Sequence, residues 1–159
     1  MKNLTTSDKD FVYMIETVVP SMGRVEFVQK LMEKYTWGYL TKPVFQLALG
    51  ANSAPRIQLG DTGGTAAGTH GNGLITINNE HFKGFREQNP IYLRSMPITV
   101  LHELAHWGCW KHLSDGHGMT SAEGYEHHFH GDYKSPLTKE LEDYFNIPAF
   151  IERVIEAWF

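Results

Sequence analysis

The sequence is poor in cysteine, in basic runs and in long apolar stretches, and each shortage removes a class of protein. With a single cysteine, Cys109, no disulfide can form within the chain, so folding does not depend on oxidation. There is no long basic run and the formal net charge is −4, which argues against nucleic acid as a partner. No apolar stretch approaches the roughly 20 residues that span a bilayer, so no membrane is expected as a partner. The opening residues, MKNLTTSDKDF, lack the apolar core of a signal peptide. Synthesis in the cytoplasm is therefore expected, with export by a signal-independent route left open. Internal repeats and low-complexity tracts are also missing. The glycine-rich stretch GDTGGTAAGTHGNG (residues 60–73) has no lysine behind its glycines and does not match a phosphate-binding loop.

What is present fits one globular domain over residues 1–159: 42% of the residues are hydrophobic and 20% charged. Histidine is in excess, and seven of the nine lie between His102 and His130.

The elements read as follows. Ser7 or Asp8 caps a first helix in which Phe11, Met14, Ile15 and Val18 recur at helical spacing, and Pro20 is expected to end it. A second helix follows Gly23, with Val25, Phe27, Val28, Leu31 and Met32 as its apolar side. The run YLTKPVFQLALG reads as a strand or buried extended chain, and residues 60–73 as a loop. LITIN alternates apolar and polar side chains, the pattern of a half-buried strand. A helix opening near Ser95 or Met96 carries the motif below. The turn SDGHGMTS follows, then a helix AEGYEHHFH capped by Thr120 or Ser121, and two last helices, PLTKELEDYF and PAFIERVIEAWF. Together they describe a small α+β domain, helix-rich with a short mixed sheet.

Residues 98–112 read ITVLHELAHWGCWKH. On a helix, positions i and i+4 share a face, so His102 and His106 can turn two imidazoles toward one zinc ion. Glu103 is turned by about 100°, off the metal but within reach of a water activated by it, where a carboxylate serves as general base. Val100, Leu101 and Leu104 face the other way, toward a core. Cys109 reads as a small buried side chain, and Trp107 and Trp110 as packing residues. His70 and His81 read as ordinary loop residues.

HELAH resembles the active-site helix of the zincin metallopeptidases, and the similar region covers about residues 74–131. The resemblance implies a zinc site, with LITIN as the edge strand that receives an extended peptide. Two subclasses supply a third ligand differently. The metzincin pattern would use His112, but it needs glycine at Cys109, whereas the glycine here is Gly108; an unbroken helix turns His112 about 80° from His102. Met119 would then stand for the methionine turn. The gluzincin pattern would use Glu126, twenty residues after His106, and is preferred; Glu123 is a lesser candidate. The stretch SAEGYEHHFHG also resembles a segment of metallopeptidase domains from bacterial polymorphic toxins and type VI secretion effectors. That likeness implies an effector toxin with a cognate inhibitor or immunity protein. His117 and Tyr125 are candidates to stabilise an oxyanion, Asp115 or His130 to orient a ligand, and His127 and His128 read as surface groups.

The expectation is thus a zinc-dependent peptidase acting on peptide or protein amides, with Zn2+ on His102, His106 and Glu126 and with Glu103 as base. The alternatives are a zinc amidase acting on peptidoglycan and a non-catalytic zinc-binding scaffold or interaction protein.

Overall fold

Asp8 caps the first helix as its position predicts: its carboxylate accepts the Phe11 backbone N–H at 3.0 Å. This computed structural model describes residues 1–51, 53–112 and 135–146. A short strand β1 (Lys2–Asn3) is followed by α1 (Lys9–Tyr13), a π-helical turn (Met14–Val18) and α2 (Val19–Gly23). Pro20 does not end the run. The Val19 N–H bonds the Met14 carbonyl, five residues back, so the helix widens just before the proline. Pro20 then sits in the first turn of α2, where its missing N–H is not needed.

Helix α3 (Glu26–Lys34) buries Val28, Leu31 and Met32, whereas Phe27 stays partly exposed. YLTKPVFQLALG is not extended: Lys42–Leu49 form α4, with Pro43 in its first turn and Phe45, Ala48 and Leu49 on one buried face. Those three positions carry the helical period, and Leu47, out of phase with them, is exposed.

The mixed sheet has four strands: β1, β2 (Arg56–Gly60), β3 (Gly68–Gly71) and β4 (Leu74–Asn78), in the order β1-β2-β4-β3. β1, β2 and β4 run parallel, and β3 pairs antiparallel with β4. Two expectations are corrected here. The glycine-rich stretch is not all loop, because β3 lies inside it. LITIN is not an edge strand, because β4 is held between β2 and β3, with Ile57 opposite Ile75 and Thr69 opposite Thr76. Its polar Thr76 and Asn78 are buried too, so the alternation marks two covered faces rather than one wet face. Asn72 and Gly73, with φ of 50° and 78°, make the tight turn that joins β3 to β4.

Asn78 caps α5 (Asn79–Arg86), accepting from the backbone N–H groups of Glu80 and His81. Helix α6 (Pro90–His112) starts at Pro90, a turn and a half before the expected opening, and passes through Pro97. The Asn89 side chain accepts the Ile91 N–H at its start. Helix α7 (Pro136–Tyr144) closes the described chain, with Ser135 as its cap. The expected helices AEGYEHHFH and PAFIERVIEAWF lie outside the described residues.

Phe11, Phe45, Phe82, Met14, Met22, Ile57, Ile75 and Ile77 are fully buried between the sheet and the helices. Each such side chain contributes about 1.5–3 kcal/mol by leaving water. Val100, Leu101 and Leu104 of α6 join this core, as do Trp107 and Cys109. The fold is α+β, and the motif helix runs through its middle, packed on β3, β4, α5 and α7. Among the described residues no helix is long and apolar enough to cross a membrane.

Candidate metal centre

The central helix turns its apolar side into the core and its HELAH side toward β3 and α7. His102 and Glu103 are buried, at 8% and 6% exposure, and His106 is half-buried one turn later. One ligand-capable atom from each of the three residues lies within 4.8 Å of the others. The Nε2 atoms of His102 and His106 are 3.0 Å apart. Two nitrogens at zinc distances in a tetrahedral site stand about 3.3 Å apart, so the pair is nearly set for one ion.

Burial pushes the His102 imidazole down to about 4. The ring is therefore neutral at physiological pH, which is the form that donates a lone pair to a metal. Its other nitrogen, Nδ1, faces the start of α7, 3.1 Å from Ser135 Oγ and 3.3 Å from Thr138 Oγ1.

Beside the motif lies a cleft of about 290 Å³. Thr99, His102 and Glu103 form its floor, Ala66, Ala67 and Gly68 one wall, and Ser135 and Thr138 the other. Gly68 brings β3 against Glu103: a Cβ there would lie 3.1 Å from Glu103 Cγ and 2.7 Å from Thr99 Cγ2. Only glycine lets the strand pass this close. The rim is held by side chains: Asn78 Nδ2 donates to Thr62 Oγ1 at 3.0 Å, and Thr62 Oγ1 to the Ala66 carbonyl at 2.8 Å. His81 is not a loop residue; it belongs to α5, and its Nε2 lies 3.0 Å from the Thr65 carbonyl. His70 is on β3, with its ring edge-on to Trp110 at 5.6 Å.

The structure brings His102, Glu103 and His106 together. Of the third-ligand candidates, Glu126 and Glu123 lie outside the described residues, as do Asp115, His117, Met119, Tyr125, His127, His128 and His130. The backbone of α6 continues as helix to His112. Gly108 does not break it; a Cβ at Gly108 would lie 2.5 Å from Leu40 Cγ, so this glycine serves close packing. His112 as a ligand required a break there.

Ser135, Thr138 and Gly68 are the site residues that sequence reasoning missed. Ser135-Pro136 is legible as a helix cap followed by a first-turn proline, but nothing local says that the cap meets His102. Comparison with protein-family models, with curated proteins and with solved structures gives no match.

Proposed function

We propose that the chain is a zinc metallopeptidase that hydrolyses peptide or protein amide bonds. The observation that carries this reading is the convergence of two imidazole nitrogens and a carboxylate within 4.8 Å of one another on α6, beside a sheet edge. The donor set suits zinc: imidazole nitrogens of borderline softness, with a carboxylate that need not ligate. His102 and His106 would hold the ion, with Glu126 as third ligand; the unbroken helix to His112 speaks against the alternative. Zinc, when bound, supplies Lewis acidity, polarising a carbonyl and lowering the pKa of a water toward about 7.

The chain's own groups do the rest. Glu103 accepts the proton of the attacking water and passes it to the leaving amine, so one carboxylate acts first as base and then as acid. Its burial keeps bulk water from competing for that proton. Among the described residues β3 has no strand beyond it, and its Gly68 end overlies Glu103. An extended peptide added to β3 would place a backbone carbonyl along the cleft floor. The edge role that the resemblance assigned to LITIN thus passes to the neighbouring strand. The HELAH motif and the zincin resemblance support the same reaction class; an effector toxin with a cognate inhibitor is the biological setting they suggest.

The test is zinc content together with hydrolysis of casein or a peptide library, on wild type and Glu103→Ala. Stoichiometric zinc is expected in both, with hydrolysis lower by about 10²–10⁴-fold in the variant. A folded wild type that takes up no zinc would overturn the proposal.

A further inference from the structure

A carboxylate beside a ligand imidazole can only accept a proton, but His102 Nδ1 meets two hydroxyls instead. Their orientation is constrained. Ser135 Oγ accepts the Thr138 backbone N–H at 3.1 Å, because Ser135 caps α7. Its hydrogen goes to Thr138 Oγ1, 2.9 Å away. One lone pair remains on Ser135 Oγ, and His102 Nδ1 lies 3.1 Å from that oxygen. The helix cap thus leaves Ser135 Oγ able to accept from the ring, a contact that the Nδ1–H tautomer satisfies. In that tautomer Nε2 carries the ring's lone pair, the form in which an imidazole ligates a metal.

Helix α7 is itself anchored away from this contact. The Tyr35 hydroxyl donates to Glu140, Lys34 Nζ lies 3.7 Å from Glu140, and Phe27 stacks on Tyr144 at 4.8 Å. Arg94 of α6 approaches Glu142 at 4.0 Å. The two hydroxyls thus sit on a helix whose position does not depend on His102.

We propose that Ser135 and Thr138 are the positioning pair of His102: the first turn of α7 holds the ring with Nδ1 protonated and Nε2 aimed at the metal position. This rests on the metal-centre reading. The hydroxyl, unlike a carboxylate, adds no negative charge, so the ring stays a weaker donor than it would be beside an acid.

The test measures Zn2+ affinity by competition with a chromophoric chelator, and the visible absorption of the Co2+ form. The proteins are wild type, Ser135→Ala, Ser135→Thr, Ser135→Asp, Thr138→Val and His102→Ala. Thr and Asp keep the helix cap, so their effects are not those of a lost cap. Ser135→Ala should bind Zn2+ about 10-fold or more weakly, with an altered Co2+ spectrum, and Ser135→Thr should restore both. Thr138→Val should weaken binding by a smaller factor. Ser135→Asp should bind more tightly than wild type, which a purely capping role does not predict. A folded Ser135→Ala with wild-type affinity and spectrum, or a Ser135→Asp identical to wild type, would overturn the inference while leaving the metal centre standing. If wild type binds no better than His102→Ala, the metal centre itself fails and the inference falls with it.

Discussion

His70 and His102 look alike by the usual marks of a functional histidine. Burial pushes both imidazoles down to about 4, and each ring or its stacking partner borders a cleft on α6. Trp110, against which His70 packs, lines a cleft of about 330 Å³, and His102 lines one of about 290 Å³. The difference lies in what faces the nitrogens. His70 Nε2 accepts the Gly73 N–H at 3.2 Å, so its lone pair is spent inside its own hairpin. His102 Nε2 faces a second imidazole nitrogen at 3.0 Å, with a carboxylate in the same small volume. Burial and a shifted pKa are therefore common to a packed histidine and a candidate ligand; convergence with a second imidazole nitrogen and a carboxylate distinguishes them.

The largest expected effect comes from removing each ring in turn. His102→Ala should weaken Zn2+ binding by on the order of 10³-fold, because one of very few protein ligands is lost. His70→Ala should leave Zn2+ affinity within about twofold, while destabilising the fold by roughly 1–3 kcal/mol through a lost packing contact and an unpaired amide. Isothermal titration with Zn2+ and urea unfolding separate the two. Equal losses of affinity would mean that His70 also bears on the metal, and the contrast would collapse.

Two glycines of the same hairpin sharpen the contrast. Gly68 lies against Glu103, on the side of His102, whereas Gly73 supplies the amide that satisfies His70. Gly68→Ala must push β3 away from Thr99 and Glu103, at a cost of about 1–3 kcal/mol, and should lower hydrolysis per folded molecule as well. Gly73 has a φ of 78°, so Gly73→Ala strains the turn by about 1 kcal/mol but should leave turnover unchanged. Turnover normalised to the folded fraction reads the difference. A Gly68→Ala variant with full turnover would show that the strand's approach to Glu103 has no part in the proposed reaction.

The His102–His106 face was legible because it is local: a spacing of four on a helix is a statement about geometry. The same holds for the Asp8 cap and for the helix that became α7. What was illegible is set by pairing and packing. β3 reads Gly-Thr-His-Gly and shows no apolar alternation, since it is a strand by virtue of its partner β4 and the Asn72-Gly73 turn. That dipeptide was a visible hairpin signal masked by the glycines around it. β2 and α5 carry no pattern strong enough to assign, and YLTKPVFQLALG, short and apolar, reads as extended chain although Pro43 sits in the first turn of a helix. The order β1-β2-β4-β3 moved the edge from LITIN to β3, and no property of LITIN alone could have shown this. Ser135 meets His102 across 33 positions of chain, a contact that only the docking of α7 creates.

The smallest expected effect is the acid response of His70. Its folded-state pKa of about 4 lies below the ordinary value of 6.5, so between those limits the unfolded chain binds more protons than the folded one. The stability it contributes is fully present above pH 6.5, declines as the pH falls and is gone below about 4. His70 is only half-buried, so solvent screening reduces this to about 1 kcal/mol across the window. His70→Gln offers an amide oxygen to the Gly73 N–H and carries no titrating ring. Its urea-unfolding free energy should therefore fall less between pH 6.5 and 4 than that of wild type. Zn2+ sharpens the contrast, because an ion bound as proposed competes with protons at His102 but not at His70. In saturating Zn2+ both proteins should show a steeper acid loss, and the difference between them should persist. If the difference vanishes when Zn2+ is added, His70 titrates with the metal site, and the separation between the two histidines is wrong.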